Sequence, residues 1–116
     1  DSLLPDGDRA LMTDEIGTDV IAQLTEGLRS GADGWVDDDL AFTTPWGFSA
    51  GDIRTPVTVW QGDQDLMVPF AHGTWLAQAI PEVDAHLLAG EGHLSIAVGL
   101  AEQMLDALLA SAGLGN

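Results

Sequence analysis

Val57-Thr58-Val59-Trp60-Gln61, Gly62-Asp63-Gln64-Asp65 and Leu66-Met67-Val68-Pro69 run on as one stretch, and its reading decides the fold. Val-Thr-Val-Trp is almost unbroken β-former, as expected of a strand covered on both faces. Pro56, just ahead, is tolerated at a strand start but not at its centre. The Gly62 to Asp65 segment is a turn. Pro69 suits the opening of a helix, and Pro81 stops one. The stretch therefore predicts a strand over Val57–Gln61, a tight turn carrying an exposed carboxylate, and a helix over 70–80 with Trp75, Leu76 and Ile80 on its buried side.

Downstream, Val83–Leu88 reads as a second strand and Gly90-Glu91-Gly92-His93 as a turn. Residues 94–112 place Val98, Ala101, Met104, Leu105, Leu108 and Leu109 at helical spacing, with Gly113 as terminator. Strand, helix, strand, helix implies parallel strands joined by a crossover helix, an α/β arrangement. Functional groups in such sheets sit beyond the carboxyl ends of the strands. Asp65 and His93 both occupy such ends, and parallel neighbours lie ~4.8 Å apart. The two side chains are thus expected within reach of one another.

Upstream the signals are weaker. Pro5-Asp6-Gly7-Asp8 is a turn signal. Thr13 is a suitable N-cap, followed by Asp14 and Glu15 where acids favour a helix start. Ile16, Val20, Leu24 and Leu28, with Ile21 alongside, predict an amphipathic helix over 14–29 that Ser30–Gly34 ends. Trp35–Gly51 reads as irregular. Its Asp37-Asp38-Asp39 run lacks the spaced ligands and central glycine of a calcium loop, so a solvated loop is expected rather than a metal site. The chain divides into a helical segment and connection over 1–52 and a β-α-β-α part over 53–116.

Composition narrows the functional classes. The 116 residues carry a net charge of -16, with Arg9, Arg29 and Arg54 as the fixed positive charges and no lysine. Phosphate contacts depend on Lys and Arg, so nucleic acid is excluded as a partner, and anionic membranes should repel the chain. Without cysteine there is neither a disulfide framework nor a thiolate metal site. No apolar run is long enough to span a bilayer. The chain opens at Asp1 without a leader, and a cytoplasmic placement is expected. Asp1 itself does not read as a natural start, and a signal peptide on a longer precursor stays open.

Pro56-Val57, Trp60, Gly62, Asp65 and Val68-Pro69, followed by Gly90, Gly92 and His93, closely resemble the C-terminal part of the α/β-hydrolase family. The resemblance is strongest over 53–96, and 14–52 looks like the end of a cap or lid region leading back to the sheet. Family order is nucleophile, acid, histidine. The resemblance implies that Asp65 is the triad acid and His93 the general base. An imidazole would take the nucleophile's proton, and Asp65 would fix its tautomer and stabilise the imidazolium. Asp63 is the rival acid; the spacing from Gly62 and to Val68-Pro69 selects Asp65. Read without the resemblance, Asp65 is a turn residue or N-cap and His93 a helix cap. His72 and His86 read as packing residues. A metal site from His93, Glu91 and Asp65 lacks a recognised ligand spacing.

Gly47-Phe48-Ser49-Ala50-Gly51 matches the G-x-S-x-G pattern by letter. A nucleophile elbow needs a strand before it and a helix after it. Thr43-Thr44-Pro45-Trp46 is a poor central strand, and Asp52–Thr55 leaves no room for a helix before Pro56. Ser2, Ser30, Ser95 and Ser111 lack elbow context too. The expectation is a C-terminal hydrolase segment that completes a triad, with an upstream nucleophile, for a small-molecule ester-type or related substrate, with no cofactor. A serine nucleophile would imply esters, peptides or thioesters, and an aspartate epoxides or carbon–halogen bonds. The alternative is a non-catalytic binding or assembly module that uses Trp35 and Trp46 as interface anchors. Taken alone, the segment would expose the edge of the strand Val57–Gln61, and self-association through that edge or through the exposed apolar faces is expected.

Overall fold

The computed structural model describes residues 4–113. The chain forms two compact units, one made of the segment up to Leu11 together with Ala50 onward, the other of Met12–Ser49.

The first unit is α/β. Strand β1 (Thr58–Gly62) pairs in parallel with β2 (Asp84–Leu88), in a register that runs from Thr58 opposite Asp84 to Gly62 opposite Leu88. The crossover helix, which we label α4 (Phe70–Ala79) in chain order, packs on both strands. Helix α1 (Asp6–Leu11) packs on the segment that follows His93, and α5 (Ala101–Ser111) closes the chain. Among the described residues the buried apolar side chains are Ile80 and Ile96, and they share the interior with Asp8, Gln61 and Ser95. A core this thin makes polar contacts important for holding the loops in place.

Three expectations for this unit need correction. Asp6–Leu11 is helical, not a turn, because Arg9 N–H bonds back to Pro5 and the Arg9 guanidinium reaches both Asp6 (3.2 Å) and the Leu4 carbonyl (3.0 Å). Trp75 does not line the buried side of α4; it is 58% exposed. The ring that packs is Trp60, stacked on His86 across the ladder at 3.8 Å between centroids. His86 Nε2 also lies 3.2 Å from Asp84 Oδ2, without a hydrogen-bond partner among the described residues. Nor is the last helix continuous. A helical turn starts at His93, widens into a π-helical turn over Ser95–Gly99 and resumes as α5. Gly99, a poor helix former, sits where the geometry changes.

The second unit consists of α2 (Asp14–Gly27) and α3 (Asp33–Thr43). The Thr13 hydroxyl accepts from Ile16 N–H at 3.3 Å and caps α2 as expected. Helix α3 is the correction here, since the sequence reads as irregular over these residues. Trp, Val, Phe and four Asp have low helix propensity. The helix end is instead secured by side chains: Thr43 and Thr44 donate to the Leu40 carbonyl (3.0 and 2.8 Å), and Trp46 Nε1 donates to that of Ala41 (2.9 Å). Neither helix buries a residue, and the expected apolar face of α2 is open, with Ile21 66% exposed. Among the described residues, no helix is long and apolar enough to cross a membrane.

Candidate functional site

The site lies where β1 and β2 end. After β1 the chain turns back, with Asp65 N–H donating to the Gly62 carbonyl at 3.3 Å. Asp65 Oδ1 then accepts from the N–H groups of Met67 and Val68, both at 2.8 Å. This is the local side-chain-to-backbone bonding that Asp favours in turns. Gln61, buried at the end of β1, fixes the far side of the same turn. Its Nε2 donates to the carbonyls of Val68 (2.9 Å) and Pro69 (3.2 Å).

With Oδ1 committed to amides, Asp65 Oδ2 faces His93 Nδ1 at 2.9 Å. Only 6% of the Asp65 side chain is exposed, against 42% for His93. The acid is therefore sheltered while the ring reaches solvent. Burial pushes the Asp65 carboxyl up, but the Val68 amide, the His93 ring and the Met67 amide outweigh it and hold the group below its ordinary value. Oδ2 of an ionised carboxylate can only accept, so the geometry assigns the proton to Nδ1 and leaves a lone pair on Nε2. An imidazole held in this way can accept a proton at Nε2 and pass it on.

Asp63, the rival acid, serves another purpose. Its Oδ1 accepts from Gln64 Nε2 (3.0 Å) and from Gly90 N–H (2.8 Å), and so ties the turn after β1 to the turn after β2. Those two bonds, the Gln64 one foremost, lower its carboxyl against a small opposing effect of desolvation. The turns also meet through Gln64 N–H and the Glu91 carbonyl at 2.9 Å. Gly62 allows this approach, because a Cβ there would collide with the Glu91 backbone.

Asp8 is the site residue that sequence reasoning missed. It is fully buried, and its oxygens accept from His93 N–H (2.9 Å) and Ser95 N–H (2.8 Å). The Ser95 hydroxyl accepts from Gly92 N–H at 2.7 Å. The first N–H groups of any helix need acceptors. Gly92, which precedes the helical turn, has no side chain to offer, so a carboxylate from α1 caps the turn from a distance. Gly92 has no room for one either: its Cβ would lie 2.6 Å from Asp8 Oδ2. Local sequence carried no signal for a cap 85 residues away.

The other candidates lie apart from this pair. Ser49 follows α3 and precedes a single 3₁₀ turn over Ala50–Asp52, so no strand leads into it and no long helix leaves it. The Ser111 hydroxyl donates to the Leu108 carbonyl at 2.8 Å, and Ser2 lies outside the described residues. His72 is exposed on α4, and Asp37–Asp39 lie in α3. Among the described residues, no three His, Cys, Asp or Glu side chains converge in a way that could hold a metal ion. An open cavity of about 600 Å³ lies within the 12–49 unit, lined by Leu24, Leu28, Trp35, Phe42, Asp38 and Asp39 among others; Asp65 and His93 take no part in it. Compared with protein-family models, with curated proteins and with solved structures, the chain matches none.

Proposed function

We propose that this chain is the C-terminal segment of an α/β-hydrolase, in which Asp65 and His93 form the acid–base half of a nucleophile-His-Asp triad. The observation that carries the reading is the 2.9 Å contact between Asp65 Oδ2 and His93 Nδ1, with Oδ1 already held by two backbone amides. A turn aspartate needs only the amides. The ring contact, the sheltered acid and the partly exposed ring are what general-base catalysis requires in addition. Both groups leave the carboxyl ends of parallel strands, where α/β sheets carry their chemistry. The nucleophile would be supplied from outside these residues, and its identity sets the reaction class: serine for ester-type substrates, aspartate for epoxides or carbon–halogen bonds. No cofactor is required.

The test uses the longest natural chain that contains these residues, assayed on a panel of small esters, epoxides and haloalkanes. Asp65→Asn reverses the donor at Nδ1 and should lower turnover on the order of 10⁴-fold with folding intact, and His93→Ala at least as much. Full turnover in both variants would end the proposal.

A second reading, a binding or assembly module on the same scaffold, draws on the exposure of Trp35 (54%) and Trp46 (64%). Aromatic anchors of this kind are enriched at interfaces. This reading expects both site variants to leave every activity of the parent chain unchanged.

A further inference from the structure

We infer that Asp8 is a positioning residue for His93: by capping the turn that begins at His93, it sets the backbone from which the ring reaches Asp65. The inference rests on reading His93 as the general base, and it adds a residue outside the acid–histidine pair to the machinery. Asp65 is fixed by its own turn, through Met67, Val68 and, across the turn, Gln61. His93 has no equivalent local support. Its side chain is 42% exposed, and among the described residues its ring makes one hydrogen bond, at Nδ1. What determines its place is therefore the backbone of residues 92–95.

That backbone is held at three points. Asp8 takes His93 N–H and Ser95 N–H, and Ser95 Oγ takes Gly92 N–H. Two of the three run to the same buried side chain, so Asp8 alone sets two of the three anchor points. The carboxylate also fills the space beside Gly92 where a side chain would sit. Displacing it frees the N–H of His93 itself. A shift of about 1 Å at a catalytic group can cost 10²-fold in rate, so a cap at this position bears on chemistry as well as on stability.

The test is nuclear magnetic resonance of the His93 ring in the full chain, which needs no turnover. The readouts are the ring tautomer, from nitrogen shifts, and the low-field Nδ1 proton of a hydrogen bond to carboxylate. The wild-type chain should show one tautomer, protonated at Nδ1. Asp8→Asn keeps the shape but turns one acceptor into a donor facing an N–H group. It should abolish the low-field proton and mix the tautomers, while amide signals of α4 and β1 stay in place. Asp65→Asn should do the same, and the double variant should add nothing further.

A lower melting temperature with the Nδ1 signal intact in Asp8→Asn would overturn the inference, since Asp8 would then be a structural cap alone. An Asp8→Asn effect on the ring that persists in full in the Asp65→Asn background would overturn it as well, because Asp8 would then act through its own field. Should Asp8→Asn be too unstable to record, Asp8→Glu provides the same readout: a disturbed ring signal supports the inference and an intact one overturns it. If His93→Ala leaves the parent enzyme active, the hydrolase reading falls while the control of the ring by Asp8 stands or falls on these spectra.

Discussion

At the ends of β1 and β2, two turns and a distant helix interlock. Asp63 reaches Gly90, Gln64 reaches Glu91, Asp8 reaches His93 and Ser95, and Gly62 and Gly92 leave no room for a methyl group. In residues 12–49 the bonds that secure α2 and α3 are short-range. Thr13 caps α2, Thr18 and Thr25 donate to carbonyls one turn back, and neither α2 nor α3 buries a residue. The first region is held by contacts distant in sequence, which fix tertiary geometry; the second is held by bonds within its helices, and Ile21, Leu24, Trp35, Leu40 and Phe42 face solvent.

The contrast can be broken most forcefully with one substitution made in both regions. Gly62→Ala inserts a methyl group against the Glu91 backbone, which cannot rotate away as a side chain could. We expect a loss of about 2–3 kcal/mol, at the upper end of overpacking costs. Gly17→Ala lies inside α2 with nothing within 4 Å of the new methyl group. There the helix propensity of alanine should bring a gain of up to about 1 kcal/mol. Denaturant titration of each variant checks both signs. Equal and small effects would mean that the turns are looser than their contacts imply.

A smaller effect is expected from pH. The Asp65 carboxyl is held below its ordinary value of 3.8 in the folded chain. A lowered group stabilises the fold above the unfolded value, and that contribution disappears as pH falls through the lowered folded one. With a net charge of -16, protonating the remaining acids relieves repulsion and can mask the loss. The difference between wild-type and Asp65→Asn midpoints removes that common background. It should narrow as pH falls below about 4. A gap unchanged at pH 3 would show that the ionised form contributes nothing.

The same contrast explains what the sequence reveals. β1, α4 and β2 are legible because β-formers, prolines and spacing act over a few residues. The Asp65–His93 pair is legible because both residues sit at the ends of readable strands. Asp8 is not, because its partners lie across the fold and its local context, Pro5 to Asp8, resembles a turn. Helix α3 is missed for the opposite reason. Its own residues argue against a helix, while Thr43, Thr44 and Trp46 secure its end with side-chain bonds that propensity does not count. The apolar side of α2 stays largely exposed, because helical periodicity shows which side is apolar, not whether anything covers it.

What covers those apolar surfaces can be tested at the strand edge. Among the described residues β1 pairs with β2 alone. Asp84 N–H bonds to the Val57 carbonyl and Asp63 N–H to that of Leu88, so odd-numbered positions of β1 face the partner strand. Alternation then directs the N–H and C=O of Thr58 and Trp60 to the open edge. We expect the isolated chain to self-associate there, because an open edge with β-forming residues is a template for another strand. Thr58→Pro removes an edge donor without touching the β1–β2 ladder, a position where proline is tolerated. Sedimentation over a range of concentrations should show association in the wild-type chain and a weaker one in this variant. Association unchanged by Thr58→Pro would move the contact to the exposed faces of 12–49, where Phe42 is 72% exposed. A compact monomer at high concentration in both would mean that neither region needs a partner, and the two units would then differ in bonding but not in completeness.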